Sequence, residues 1–139
     1  MMKKETGGRR QKSEIRSQKP VDKELSKFLA GKSEVTVDLF WHFIEAFRSI
    51  GDVTIHPAKT MIGIATTKRI AYVTRLGKNF VDVTFMFDQP YNENLCFIKI
   101  AQVPGTSQYN HHLRLMSKSD VNKEVLAFMK KAIAKAQKA

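Results

Sequence analysis

Apolar and polar residues alternate over positions 79–88, with Val81, Val83, Phe85 and Phe87 on one side and Asp82, Thr84 and Asp88 on the other. Two further β-branched and apolar runs precede this one, TMIGIATT over 60–67 and KRIAYVTR over 68–75, with very short connections. The pattern predicts a three-stranded β-meander between residues 59 and 88. Gly77 is the natural residue to take a positive φ in its last hairpin, and Asn79 tolerates one. Within the second run Arg69 and Arg75 share the parity of Ala71 and Val73, which places both arginines on that face.

The flanking pattern is helical at both ends. Val21, Leu25, Phe28 and Leu29 mark a short helix over 21–30 that Gly31 stops. Val37, Phe40, Trp41, Ile44, Phe47 and Ile50 recur at three and four over 37–50, with Leu39 and Phe43 widening the stripe. Thr36 is the N-cap this reading assigns, and Gly51 the stop. A last helix over 121–136 carries Val125, Phe128, Met129, Ala132 and Ile133 behind a Ser117 or Ser119 cap. Three more strands read at 52–57, 95–103 and 108–116. Pro57 puts the first of them at a sheet edge or ends it. The fold class that follows is α+β: an antiparallel sheet of five or six strands, meander at its centre, with the two long helices on one face.

At 139 residues the chain has room for one core. Residues 1–20 are too polar to offset their ordering entropy and read as a disordered basic arm, which leaves 21–139 as a single globular domain. No run approaches the ~20 apolar residues of a membrane helix, the N-terminus lacks a signal-peptide core, and Cys96 has no partner for a disulfide. A cytoplasmic protein without a membrane partner is the expectation. The net charge of +11 is distributed as +5 over 1–20, 0 over 21–34, +2 over 35–117 and +4 over 118–139. Basic ends around a near-neutral middle suit a polyanion, with Arg9, Arg10, Lys12 and Arg16 in the arm and Lys130 and Lys131 in the last helix as nucleic-acid contacts. They also suit solubility alone.

Candidate chemistry is sparse. His111 and His112 are neighbours on a strand and point to opposite faces, so no metal site and no cofactor is assigned. Cys96 lies in an apolar run that favours an inert thiol. Asp82 and Asp88 share a face but stand ~20 Å apart along the strand, too far for a hydrolytic carboxylate pair. Gly7-Gly8 and Gly105 match no phosphate-cradling loop. What is left is a set of basic and polar groups on strands: His56, Lys59, Arg69, Arg75, His112 and Arg114, with Tyr72 and Tyr109 as stacking surfaces. If their faces coincide they form a cationic pocket for a phosphate, a carboxylate or a nucleic-acid backbone; otherwise they are solvent-facing positions.

The stretch VDLFWHFIEAFRSIGDVTIHPAKTMIGI, with the basic-aromatic strand at 69–72 and the late strand bearing His112 and Arg114, resembles an uncharacterised family of small bacterial domains of unknown function over about 35–134. The resemblance points to Lys59, Arg69, His112 and Arg114 and brings no established activity. Three functions remain open. One is a non-catalytic binding module for an anionic partner, nucleic acid first. The second is a protein-interaction domain. The third is an enzyme or binder for a small anionic ligand, with His112 as acid/base group.

Overall fold

The computed structural model describes residues 19–138, with side chains from 23 to 137. The chain divides into two compact units, 1–30 and 31–139. In the first, helix α1 spans Lys19–Leu29 with Lys27 in its last turn, where a cation complements the helix dipole. The second unit contains every other element among the described residues. Helix α2 (Glu34–Ile50) is followed by strands β1 (Thr54–Pro57), β2 (Ile62–Ala65), β3 (Arg69–Gly77), β4 (Phe80–Phe87), β5 (Lys99–Gln102) and β6 (Tyr109–Leu115). A 3-10 turn (Lys118–Asp120) then leads to helix α3 (Lys123–Lys138).

The six strands form one antiparallel sheet in the order β1-β2-β3-β4-β6-β5, so the meander β2-β3-β4 is central and β1, with Pro57, is an edge. The alternation in β4 is realised as burial: Val81, Val83, Phe85 and Phe87 all lie in the core. Helices α2 and α3 pack on that one face. Phe47 of α2 meets Phe85 with ring centroids 6.0 Å apart, and Phe128 of α3 meets Phe87 at 5.7 Å. The other face carries no helix of this unit.

Four local expectations are corrected. Ser33, not Thr36, caps α2: its Oγ accepts the Thr36 amide at 3.2 Å, which starts the helix three residues earlier. The core stripe of α2 is centred on Leu39, Phe40, Phe43, Ile44 and Phe47, while Trp41 stays half-buried at its flank against Phe40. Gly77 does not take the positive φ of the hairpin; Asn79 does, at φ 64°. Gly77 is needed for space instead, because a Cβ there would strike the Phe80 ring. Finally, Ser117 and Asp120 close the separate 3-10 turn, and Asn122 Oδ1 caps α3 by accepting the Val125 amide at 3.0 Å.

The strand read at 95–103 shortens to Lys99–Gln102. Residues 91–97 form turns in place of the strand's first half, and Phe97 packs on Phe128 at 4.8 Å and on His111 at 5.0 Å. His111 is fully buried there. Its Nδ1–H donates to the Tyr109 carbonyl at 2.9 Å and its Nε2 accepts the Tyr91 amide at 3.1 Å, which fixes the neutral tautomer. Burial pushes its pKa down, and the neighbouring His112 adds to this. Cys96, close to Glu124, has its thiol pushed up to about 12, chiefly by burial and then by that carboxylate.

Candidate functional site

One row of residues crosses the face of the sheet opposite to α2 and α3. The register pairs His56 with Gly63, Gly63 with Tyr72, Tyr72 with Thr84, Thr84 with His112, and His112 with Lys99, so these six positions share one face, five of them with a side chain. Around the row lies an open concavity of about 620 Å³. His56, Lys59, Arg69 and Met61 form one side of its lining, and Asn110, His112 and Gln108 the other, with Tyr72, Thr84 and Met86 between. No carboxylate is among its lining residues.

The two arginines of β3 reach this face because the strand is irregular on both sides of Ala71–Val73. Register shifts fall between Ile64 and Ala65 opposite Arg69, and between Val73 and Arg75. Each shift inserts one residue and inverts the alternation. Arg69 and Arg75 therefore share a face with one another, as expected, but not the buried face of Ala71 and Val73. Arg69 then lies flat over Gly63, where a Cβ would come within 2.5 Å of its Nε. The glycine makes the seat for the guanidinium stem.

Two histidines flank the row, each tied to a hydroxyl. His56 Nε2 bonds Thr54 Oγ1 at 2.7 Å, and His112 Nδ1 bonds Thr84 Oγ1 at 2.9 Å. The pKa of His56 is lowered by burial and then by the Arg69 charge. That of His112 is lowered by burial and by Lys99, against an opposing effect of Asp82. Both rings are thus held towards the neutral form, first by burial and then by the cations beside them.

Of the residues singled out from the sequence, Lys59, Arg69 and His112 line the concavity, and Arg75 and Arg114 do not. Arg114 makes a two-pronged ion pair with Asp82 at 2.7 and 3.0 Å and stacks over the Phe80 ring, 4.0 Å from its centroid. Arg75 lies over the same ring at 5.3 Å. These form a second basic-aromatic cluster farther along the same face. Lys130 and Lys131 sit exposed on α3, Lys131 over the Tyr91 ring at 5.6 Å. Arg9, Arg10, Lys12 and Arg16 lie outside the described residues. Reasoning from sequence missed Gln108, whose parity with Asn110 and His112 was the available signal. It also missed Lys68 and Lys135, which join Arg69 in a smaller recess of about 200 Å³. Lys68 lies in the turn before β3 and Lys135 on α3, and only the tertiary fold brings them together.

Among the described residues no group of three or more His, Cys, Asp or Glu could hold a metal ion, and no helix is long and apolar enough to cross a membrane. Residues 25–134 match the family described as a domain of unknown function (DUF5655), a match that begins ten residues before the resemblance read from the sequence. No curated protein and no solved structure matches the chain.

Proposed function

We propose that this chain, which belongs to the family of domains of unknown function DUF5655, is a non-catalytic binding module whose open sheet face takes single-stranded nucleic acid. One observation carries the reading: rings and cations interleave on a face that no helix of the second unit covers. His56, Tyr72, His112 and Phe80 alternate there with Lys59, Arg69, Arg75, Lys99 and Arg114, and Asp82 is the carboxylate set among them, held by Arg114. Unpaired bases stack on such rings while their phosphates follow the cations. A sheet face offers no protruding element to enter a duplex groove, which favours a single strand. No carboxylate lines the concavity, and the Asp82 that acts on His112 is held by Arg114, which favours binding over catalysis. A cytoplasmic location accords with such a partner.

The test is fluorescence anisotropy with a labelled 12-nucleotide single strand and the matching duplex, from 50 to 300 mM salt. The single strand is expected to bind tighter. Its log affinity should fall by about 0.7 per phosphate contact per log unit of salt. Tyr72→Ala should cost ~1–3 kcal/mol, the worth of one stacked base. Asp82→Asn removes the opposing charge and should tighten binding severalfold. A duplex that binds as well as the single strand, or wild-type affinity in both Tyr72→Ala and Arg69→Gln, would refute the reading. Deleting residues 1–20 measures what the arm adds. If that deletion abolishes binding while the face variants change nothing, the arm is the binder and the face is not.

A further inference from the structure

The open concavity adjoins the smaller recess of about 200 Å³, and Arg69, Met86 and Gln108 line both. The recess sits where the start of β3 meets the last turns of α3. Lys68 and Ile70 bound it from the sheet, and Ala132, Lys135 and Ala136 from the helix. The two alanines stand four apart on one face of α3, and their short side chains leave the room between helix and sheet. Ile70, Ala132 and Ala136 are buried, so the floor is apolar, while Lys68, Arg69 and Lys135 are exposed and form a cationic rim.

No carboxylate lines this recess, and none of its three cations is in an ion pair among the described residues. The carbonyl end of α3 contributes about half a negative charge, well short of the three positive ones. Such an excess suits a group with more than one negative charge. An internal phosphodiester carries one. A terminal phosphate monoester carries about −1.5 to −2 at pH 7 and offers three acceptor oxygens. Arg69 is held over Gly63, its Nε 2.5 Å from where a Cβ would stand, so one of the three donors is in place before any ligand arrives.

Size and position agree with this. About 200 Å³ lies below the ~300–1,000 Å³ of sites that enclose a whole small ligand, so the recess suits a single group and not a nucleotide. Residues of α3 line the recess and not the concavity, so a strand that runs off the open face into the recess meets the helix there. The place fits the end of a strand better than its interior.

We infer that the recess rimmed by Lys68, Arg69 and Lys135 holds the terminal phosphate monoester of a single strand lying on the open face. The protein then binds strand ends in preference to strand interiors. The inference rests on the reading of that face as a nucleic-acid surface and adds recognition of an end to it. A strand can present such a group at either terminus, and the two are separate arms of the test.

The test measures fluorescence anisotropy of the full chain with 12-nucleotide single strands, labelled on an internal base, that end in two hydroxyls, a 5′-phosphate or a 3′-phosphate. A 13-nucleotide strand with hydroxyl ends adds one phosphate without placing it at an end. One of the phosphorylated strands should bind roughly fivefold or more tighter than the hydroxyl-ended 12-mer, and the 13-mer less than about twofold tighter. Lys68→Gln and Lys135→Gln, both at exposed positions, should each reduce the gain from the terminal phosphate to about that of the 13-mer. Equal affinity of the phosphorylated strands and the 13-mer would overturn the inference and leave the reading of the face in place. A gain that survives in both lysine variants would overturn it as well, because the phosphate would then be held elsewhere. So would ribose 5-phosphate that displaces the phosphorylated strand at a concentration close to that strand's own Kd, since the recess would then take free monoesters and not strand ends. Binding of none of the strands would remove the reading of the face and the inference with it.

Discussion

Thr36 couples the first turn of α2 to the hairpin that ends the meander, and replacing its hydroxyl isolates that coupling. Its side chain is fully buried. The Oγ1–H donates to the Gly77 carbonyl at 2.7 Å, and the same oxygen accepts the Asn79 amide at 2.9 Å. Thr36→Val retains the shape but leaves one carbonyl and one amide without their partner. A buried polar group left so costs ~1–3 kcal/mol. Asn79 is exposed, so water can reach its amide, and the sum falls at the low end, about 2–3 kcal/mol. Thr36→Ser keeps both hydrogen bonds and loses one methyl group, worth ~1 kcal/mol. Urea unfolding of the three proteins measures the difference. With a slope of ~1–3 kcal/mol/M, the Thr36→Val midpoint should drop by about 1–2 M at unchanged slope. If Thr36→Val loses no more than Thr36→Ser, the hydroxyl is not the link between helix and hairpin.

Acid should destabilise the fold from about pH 6.5 downward. His111 has its pKa lowered by burial, so the unfolded chain binds the proton first and stability falls as pH drops from 6.5 towards the folded value. The slope from His111 is at most ~1.4 kcal/mol per pH unit, with smaller additions from the half-exposed His56 and His112, whose pKa values are lowered too. Urea midpoints measured from pH 7.5 to 5.0 check this, and a midpoint that rises on acidification contradicts the neutral, doubly bonded His111. Cys96, with a thiol pKa of about 12, should react with iodoacetamide at pH 8 roughly tenfold to a hundredfold more slowly in the native protein than in urea. Equal rates would place the thiol outside the influence of both burial and Glu124.

The identity and order of the elements were legible in the chain because they follow from local periodicity. The period of two in β4 and the three-four spacing in α2 each determine which residues must leave water, whatever they pack against. Strand existence, the two long helices and their common face of the sheet therefore followed from positions such as Phe85 and Phe47. The same periodicity misplaced Arg69 and Arg75 relative to Ala71 and Val73. A single inserted residue inverts every side chain beyond it, and where a bulge falls depends on the partner strand. Helix caps were misassigned for a related reason: Ser33 and Thr36 are both able to cap, and the hairpin at Gly77 and Asn79 engages the hydroxyl of Thr36.

The candidate site divides in the same way. Residue types and their strands were readable, since Lys59, Arg69 and His112 stand out as basic groups in β-rich sequence. Their meeting in one concavity depends on the order β1-β2-β3-β4-β6-β5, which puts β6 beside β4 and sets β5 outside it. Strand order is a matter of which edges find each other after long connections, and no local propensity encodes it. The separation of Arg114 from the concavity likewise needed the tertiary structure, because its pairing with Asp82 arises only when β6 lies against β4.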